Sequence, residues 1–155
     1  MRFINSRTDF PTSTAVIHSG RVLETVITAI PKEQKTPVAG GPQAEMREIF
    51  RRLDEILAHA GVEKTAVVSA RLYLQEVNRD IAAVNEVWAE YFGSHPPNRR
   101  AYGVDLQKGM LVEAAFVAEI PDSFWRTFFY SRTFPASTAV SRGNTHQTQT
   151  VGQCY

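Results

Sequence analysis

The sequence predicts an α+β domain: a single mixed sheet of about six strands with two α-helices packed on one face. Two segments place apolar residues at helical spacing. At least four others are rich in β-branched residues and alternate at period two. Their order is two or three strands, helix, strand, helix, two strands, and one sheet covered on one side by both helices is the economical way to pack it.

Taken in order, "RFIN" suits a short first strand, and "TAVIHSG" and "RVLETVITAIP" suit two more around a Ser19-Gly20 turn. "PKEQKTPVAGGP" is a loop by composition. Pro42 then opens a helix where a missing N–H costs least. Met46, Ile49, Phe50, Leu53, Ile56 and Leu57 form its apolar stripe, and Gly61 stands where a helix usually stops. "KTAVVSARLYLQ" reads as a strand. Asn78 can cap a second helix, striped by Ile81, Val84, Trp88, Tyr91 and Phe92 and ended by Gly93. "RRAYGVDL" and "MLVEAAFVAEI", joined by "QKG", complete the sheet.

Alternation assigns the faces. Val68, Ala70, Leu72 and Leu74 should face the helices, as should Val112, Ala114, Phe116, Ala118 and Ile120. In "RRAYGVDL" the apolar set is Tyr102, Val104 and Leu106, which carries Arg100 with it. Arg99 is therefore expected on the opposite face, with Ser69, Arg71, Tyr73 and Glu113. That second face is only half polar and has no helix left to cover it, so self-association through it is expected.

Bulk properties narrow the function. The chain has 155 residues, 43% hydrophobic and 21% charged, with a net charge of +1, which gives no electrostatic case for nucleic acid or an anionic membrane. The single cysteine, Cys154, excludes an internal disulfide and suits a reducing, cytoplasmic setting. "MRFINSRTDF" lacks the apolar run of a signal peptide, and no later run is long enough to span a bilayer. His18, His59, His95 and His146 are dispersed, without metal-ligand spacing, and no glycine loop suits a phosphate. Residues 1–120 read as the domain and 121–155 as an extension, partly disordered, in which 131–140, "SRTFPASTAV", nearly copies 6–16, "SRTDFPTSTAV".

The stretch from "VVSARLYLQ" to "LVEAAFVA" resembles the RidA/YjgF family of imine and enamine deaminases. The likeness lies in "D-x-x-x-V-N-x-x-x-x-x-Y-F", then "P-x-R" opening a strand, then "L-x-K-G-x-L-V-E". The resemblance implies a chorismate-mutase-like, RidA-like sheet on two helices, and a homotrimer with clefts between subunits. It implies hydrolysis of a small imine or enamine carboxylic acid to a keto acid and ammonia, with no cofactor or metal. By resemblance Arg99 grips the substrate carboxylate, a role its planar fork suits. A glutamate tied to the attacking water falls on Glu113 when counted from Arg99, or on Ala115 when "K-G" is the anchor. The alternative for Glu113 is a salt bridge to Arg71. Arg71 and Tyr73 share its face as further substrate contacts. Two family segments are altered here: "FPTSTAV" puts Thr12 in place of an aromatic hydroxyl, and "ITAIP" puts Ile27-Thr28 in place of Ser-Gly. Those changes point to a substrate other than 2-aminoacrylate. A non-catalytic protein that binds a small acid between subunits is the second reading.

Overall fold

The computed structural model describes residues 1–4 and 12–121. The strands are β1 (Arg2–Ile4), β2 (Ala15–His18), β3 (Val22–Thr28), β4 (Val67–Leu74), β5 (Asn98–Gly103) and β6 (Val112–Glu119); the helices are α1 (Gly41–Ala60) and α2 (Val77–Phe92). They form one six-stranded sheet in the order β1-β2-β3-β6-β4-β5. Only β4 and β5 run parallel, joined by α2 as the crossover; every other neighbouring pair is antiparallel. The last strand is thus inserted at the centre, which brings Glu113 between Thr28 of β3 and Tyr73 of β4.

Both helices cover the same face. The whole predicted α1 stripe is buried there, against Leu23 and Ile27 of β3, Leu72 and Leu74 of β4, and Val112, Ala114 and Phe116 of β6. Phe50 is an aromatic hub: its ring stacks on Tyr91 at 3.9 Å and lies 5.6 Å from Phe92, 5.7 Å from Trp88 and 6.3 Å from Phe116. Gly61 ends α1 in the left-handed conformation, φ 75°, its N–H returning to the carbonyls of Leu57 and Ala58.

Three local expectations are corrected. The second helix begins at Val77 with Glu76 at the cap position, not at Asn78, and makes no side-chain cap hydrogen bond. Val68 does not face the helices: a register shift between Val67 and Ser69 buries Val67 and leaves Val68 47% exposed. The third concerns β5. Arg99 pairs with Ala70, and Arg100 with the exposed Arg71, so Arg99 and Ala101 face the helices while Arg100 and Tyr102 face away. The expected phase is reversed because Tyr102, the aromatic of the set, lies on the uncovered face stacked on Tyr73 with centroids 6.1 Å apart, while Arg99 is taken in by Asn85 and Trp88 on the helix side. Residues 6–11, and the extension from 122 with its near-copy at 131–140, lie outside the described residues. Among the described residues no helix is long and apolar enough to cross a membrane.

Candidate functional site

Arg99 stands on an edge strand beside α2. Its Nη2 donates to Asn85 Oδ1 at 2.7 Å, and the guanidinium carbon lies 4.8 Å from the centre of the Trp88 ring. Asn85 and Trp88 are three apart on α2, hence on one helical face. The other amino group, Nη1, is buried and has no acceptor among the described residues. Burial draws the arginine's pKa down, yet a guanidinium stays charged at any working pH. The result is a cation fixed by one hydrogen bond and one ring, with a donor left over.

Glu113 lies on the opposite, uncovered face. It lines a cavity of about 700 Å³ with Thr28, Lys32, Arg52, Lys108 and Met110. Its carboxylate is half-buried and makes no hydrogen bond or ion pair with a described residue, so the expected alternative, a bridge to Arg71, does not form. Arg71 is exposed and sits across from Ala115, two residues along the strand from Glu113. Burial pushes the Glu113 pKa above the usual carboxylate value. Thr28 closes the cavity beside it, and Tyr73 pairs with it across the sheet while stacking on Tyr102. Thr12 is exposed; the threonine that reaches the cavity is Thr14. Ala115 shares the face of Glu113 but offers no titratable group.

The two halves are far apart within one chain. Arg99 is level with Ala70, and Ala70 with Phe116, three residues along β6 from Glu113. Two strand spacings of about 4.8 Å and three residues of about 3.3 Å separate their Cα atoms by roughly 14 Å, with the side chains on opposite faces. No small acid can touch both.

Sequence reasoning missed several supporting residues. Asn85 was visible inside the "V-N" pair but had no partner until α2 was laid on β5. Arg52 spends one amino group on backbone, Nη1 donating to the carbonyls of Thr28 at 2.6 Å and Ile30 at 2.8 Å, and so fixes the turn after β3. Buried Glu45 accepts the N–H groups of Leu111 and Val112 at 2.8 and 2.9 Å and anchors the start of β6 to α1. Its signal was a glutamate adjoining an apolar stripe. Among the described residues no three His, Cys, Asp or Glu side chains converge as a metal would require.

A mixed six-stranded sheet on two helices is the architecture this chain shares with solved structures of the Rid family. The family model described as Endoribonuclease L-PSP matches residues 8–120, and the chain belongs to that family, RidA/YjgF. The 2-iminobutanoate/2-iminopropanoate deaminase of Homo sapiens is 39% identical over 82 residues, which are 52% of this chain and 59% of the human protein. The chain thus spans about three-fifths of the length of that relative. A RutC family protein of Pyrococcus horikoshii is 37% identical over 92 residues, 57% of this chain and 72% of its own. Among solved structures, a Thermotoga maritima protein described as a putative endoribonuclease superposes with a TM-score of 0.70 at 24% identity, covering 78% of this chain and 98% of that one. A Yersinia pestis protein of the conserved Rid family gives 0.65 at 26% identity, covering 71% and 88%.

Proposed function

We propose that this protein hydrolyses a small imine or enamine carboxylic acid, at a site built by two copies of the chain. Arg99 of one protomer holds the carboxylate and Glu113 of the next serves the water. The observation that carries this reading is the buried Nη1 of Arg99, a donor with no acceptor beside a guanidinium already fixed by Asn85 and Trp88. Buried polar groups are rarely left unpaired, and a carboxylate is the acceptor that the fork fits best. Relatives named as iminobutanoate/iminopropanoate deaminases support the substrate class.

The chemistry needs little else. Water adds its oxygen to the imine carbon and yields a proton to Glu113. That proton passes to nitrogen and gives a carbinolamine; Glu113 then carries the hydroxyl proton to the same nitrogen, the C–N bond breaks, and ammonia leaves as the carbonyl forms. A carboxylate whose pKa is raised by burial is a better base for that step than an ordinary one. No step calls for a cofactor.

Because Arg99 and Glu113 face opposite ways, one substrate meets both only where chains adjoin. The uncovered sheet face, with Val26 58% and Tyr102 42% exposed, supplies an apolar surface for that contact, and a cyclic trimer is the assembly we favour. The net charge of +1 offers an RNA backbone little attraction, so we do not extend the family description to RNA cleavage.

The test is complementation. Arg99→Ala and Glu113→Ala should each be inactive towards freshly generated imino acids, read as ammonia release. Co-refolded in equal amounts, they should recover about a quarter of wild-type activity, since each mixed cyclic trimer regains one intact site in three and about three-quarters of trimers are mixed. No recovery, with mixed trimers confirmed by mass, would overturn the shared site. Ligand binding without turnover in the wild type would turn the reading towards a sensor.

A further inference from the structure

We infer that the cavity beside Glu113 binds a second acidic group, so that the substrate is a dicarboxylic imine rather than the monocarboxylic kind; this rests on the deaminase reading above. The cavity wall carries three cations, Lys32, Arg52 and Lys108, and one carboxylate, Glu113. None of the three comes within ion-pair distance of Glu113, and neither lysine pairs with any other described residue. Cations and carboxylate thus line one space of about 700 Å³ without neutralising each other. That volume falls in the range of pockets that take ligands well beyond four carbons.

Arg52 is half committed. Its Nη1 donates to two backbone carbonyls, while Nε and Nη2 make no hydrogen bond to a described residue. The glutamates nearest it on α1, Glu48 and Glu55, are both taken by Arg51, at 2.7 and 2.5 Å. Lys108 is held in the left-handed region, φ 57° and ψ 24°, a conformation that non-glycine residues adopt at a cost. Gly109 beside it is also at positive φ, 72°, so two successive left-handed residues shape the turn that carries Lys108 on the cavity wall. Arg52 feels the charges of Glu48, Glu55 and Glu33, but if Arg99 of the adjoining protomer takes one carboxylate, a monocarboxylate leaves the two lysines without a counter-ion. A second carboxylate supplies it.

The experiment compares imines made in place by amino-acid oxidases: 2-iminobutanoate against 2-iminoglutarate. The wild type should show kcat/KM at least tenfold higher for the dicarboxylic imine. The double variant Lys32→Ala, Lys108→Ala should lose at least tenfold more on that substrate than on the monocarboxylic one. In parallel, thermal stabilisation by 2-oxoglutarate should exceed that by 2-oxobutanoate, and the double variant should erase the difference. Equal rates and equal stabilisation by both acids would overturn the second-acid inference while leaving the deaminase reading intact. Selective stabilisation by the diacid without hydrolysis of either imine would sink the deaminase reading and keep the anion site.

Discussion

The Arg99 corner and the Glu113 cavity are built in opposite ways. Arg99 is over-determined: an edge strand, a hydrogen bond donated to Asn85's oxygen and the face of Trp88 hold its guanidinium. Glu113 is held only by its strand, with neighbours on both sides and no side-chain partner among the described residues. A carboxylate grip must be rigid, because two parallel hydrogen bonds demand fixed geometry. A group that takes and returns a proton gains from being unpaired and partly desolvated, since an ion-pair partner would hold its pKa down. On the proposed reading the contrast is between a binding element and a proton-transfer element, each with the surroundings its task needs.

The sharpest way to break the contrast is at its rigid end. Arg99→Ala should lower kcat/KM about a thousandfold, from two charge-assisted bonds of about 1.5–3 kcal/mol each. Arg99→Lys keeps the charge without the fork and should recover only one of those decades. Steady-state kinetics on both variants decides it: a lysine variant equal to wild type would mean that charge alone matters.

At the other end, Glu113→Gln should cost about a hundredfold in kcat/KM, the usual scale for a lost general base. Burial raises the Glu113 pKa, so its ionised, proton-accepting form is lost as pH falls through a value above 4.5. The wild-type pH–rate profile should show an acid limb there, and the glutamine variant should lack it. A limb that survives in Glu113→Gln assigns the base elsewhere.

The smallest effect tests how far the grip depends on its support. Asn85→Ala removes one hydrogen bond to Arg99, worth about 1 kcal/mol, and should raise KM about fivefold with kcat little changed. Asn85→Asp should do worse, because an aspartate would take the guanidinium that the substrate needs.

Much of this was readable in the amino-acid order. The α1 stripe from Met46 to Leu57, the stop at Gly61 and the central strands follow from periodicity and from glycine's tolerance of positive φ. The "P-x-R" motif singled out the arginine, but not its direction. Alternation assumes that the charged residue takes the wet face and the aromatic the dry one, and β5 reverses this: Arg99 lies along Trp88 on the helix side while the exposed Tyr102 stacks on Tyr73 on the other. Val68 was lost to a bulge, which shifts the period by one where no glycine marks it. Arg52 and Glu45 were hidden for a different reason. Their roles are hydrogen bonds across 22 to 67 positions, and no local spacing encodes those.

One placement has a consequence for dosage. On the proposed two-chain site, a sheet that carries its anion clamp on one side and its base on the other would leave an isolated chain inert, however well folded. Specific activity then falls on dilution, as protomers part faster than they meet. A cell holding little of this protein would have less than its proportional share of the catalyst.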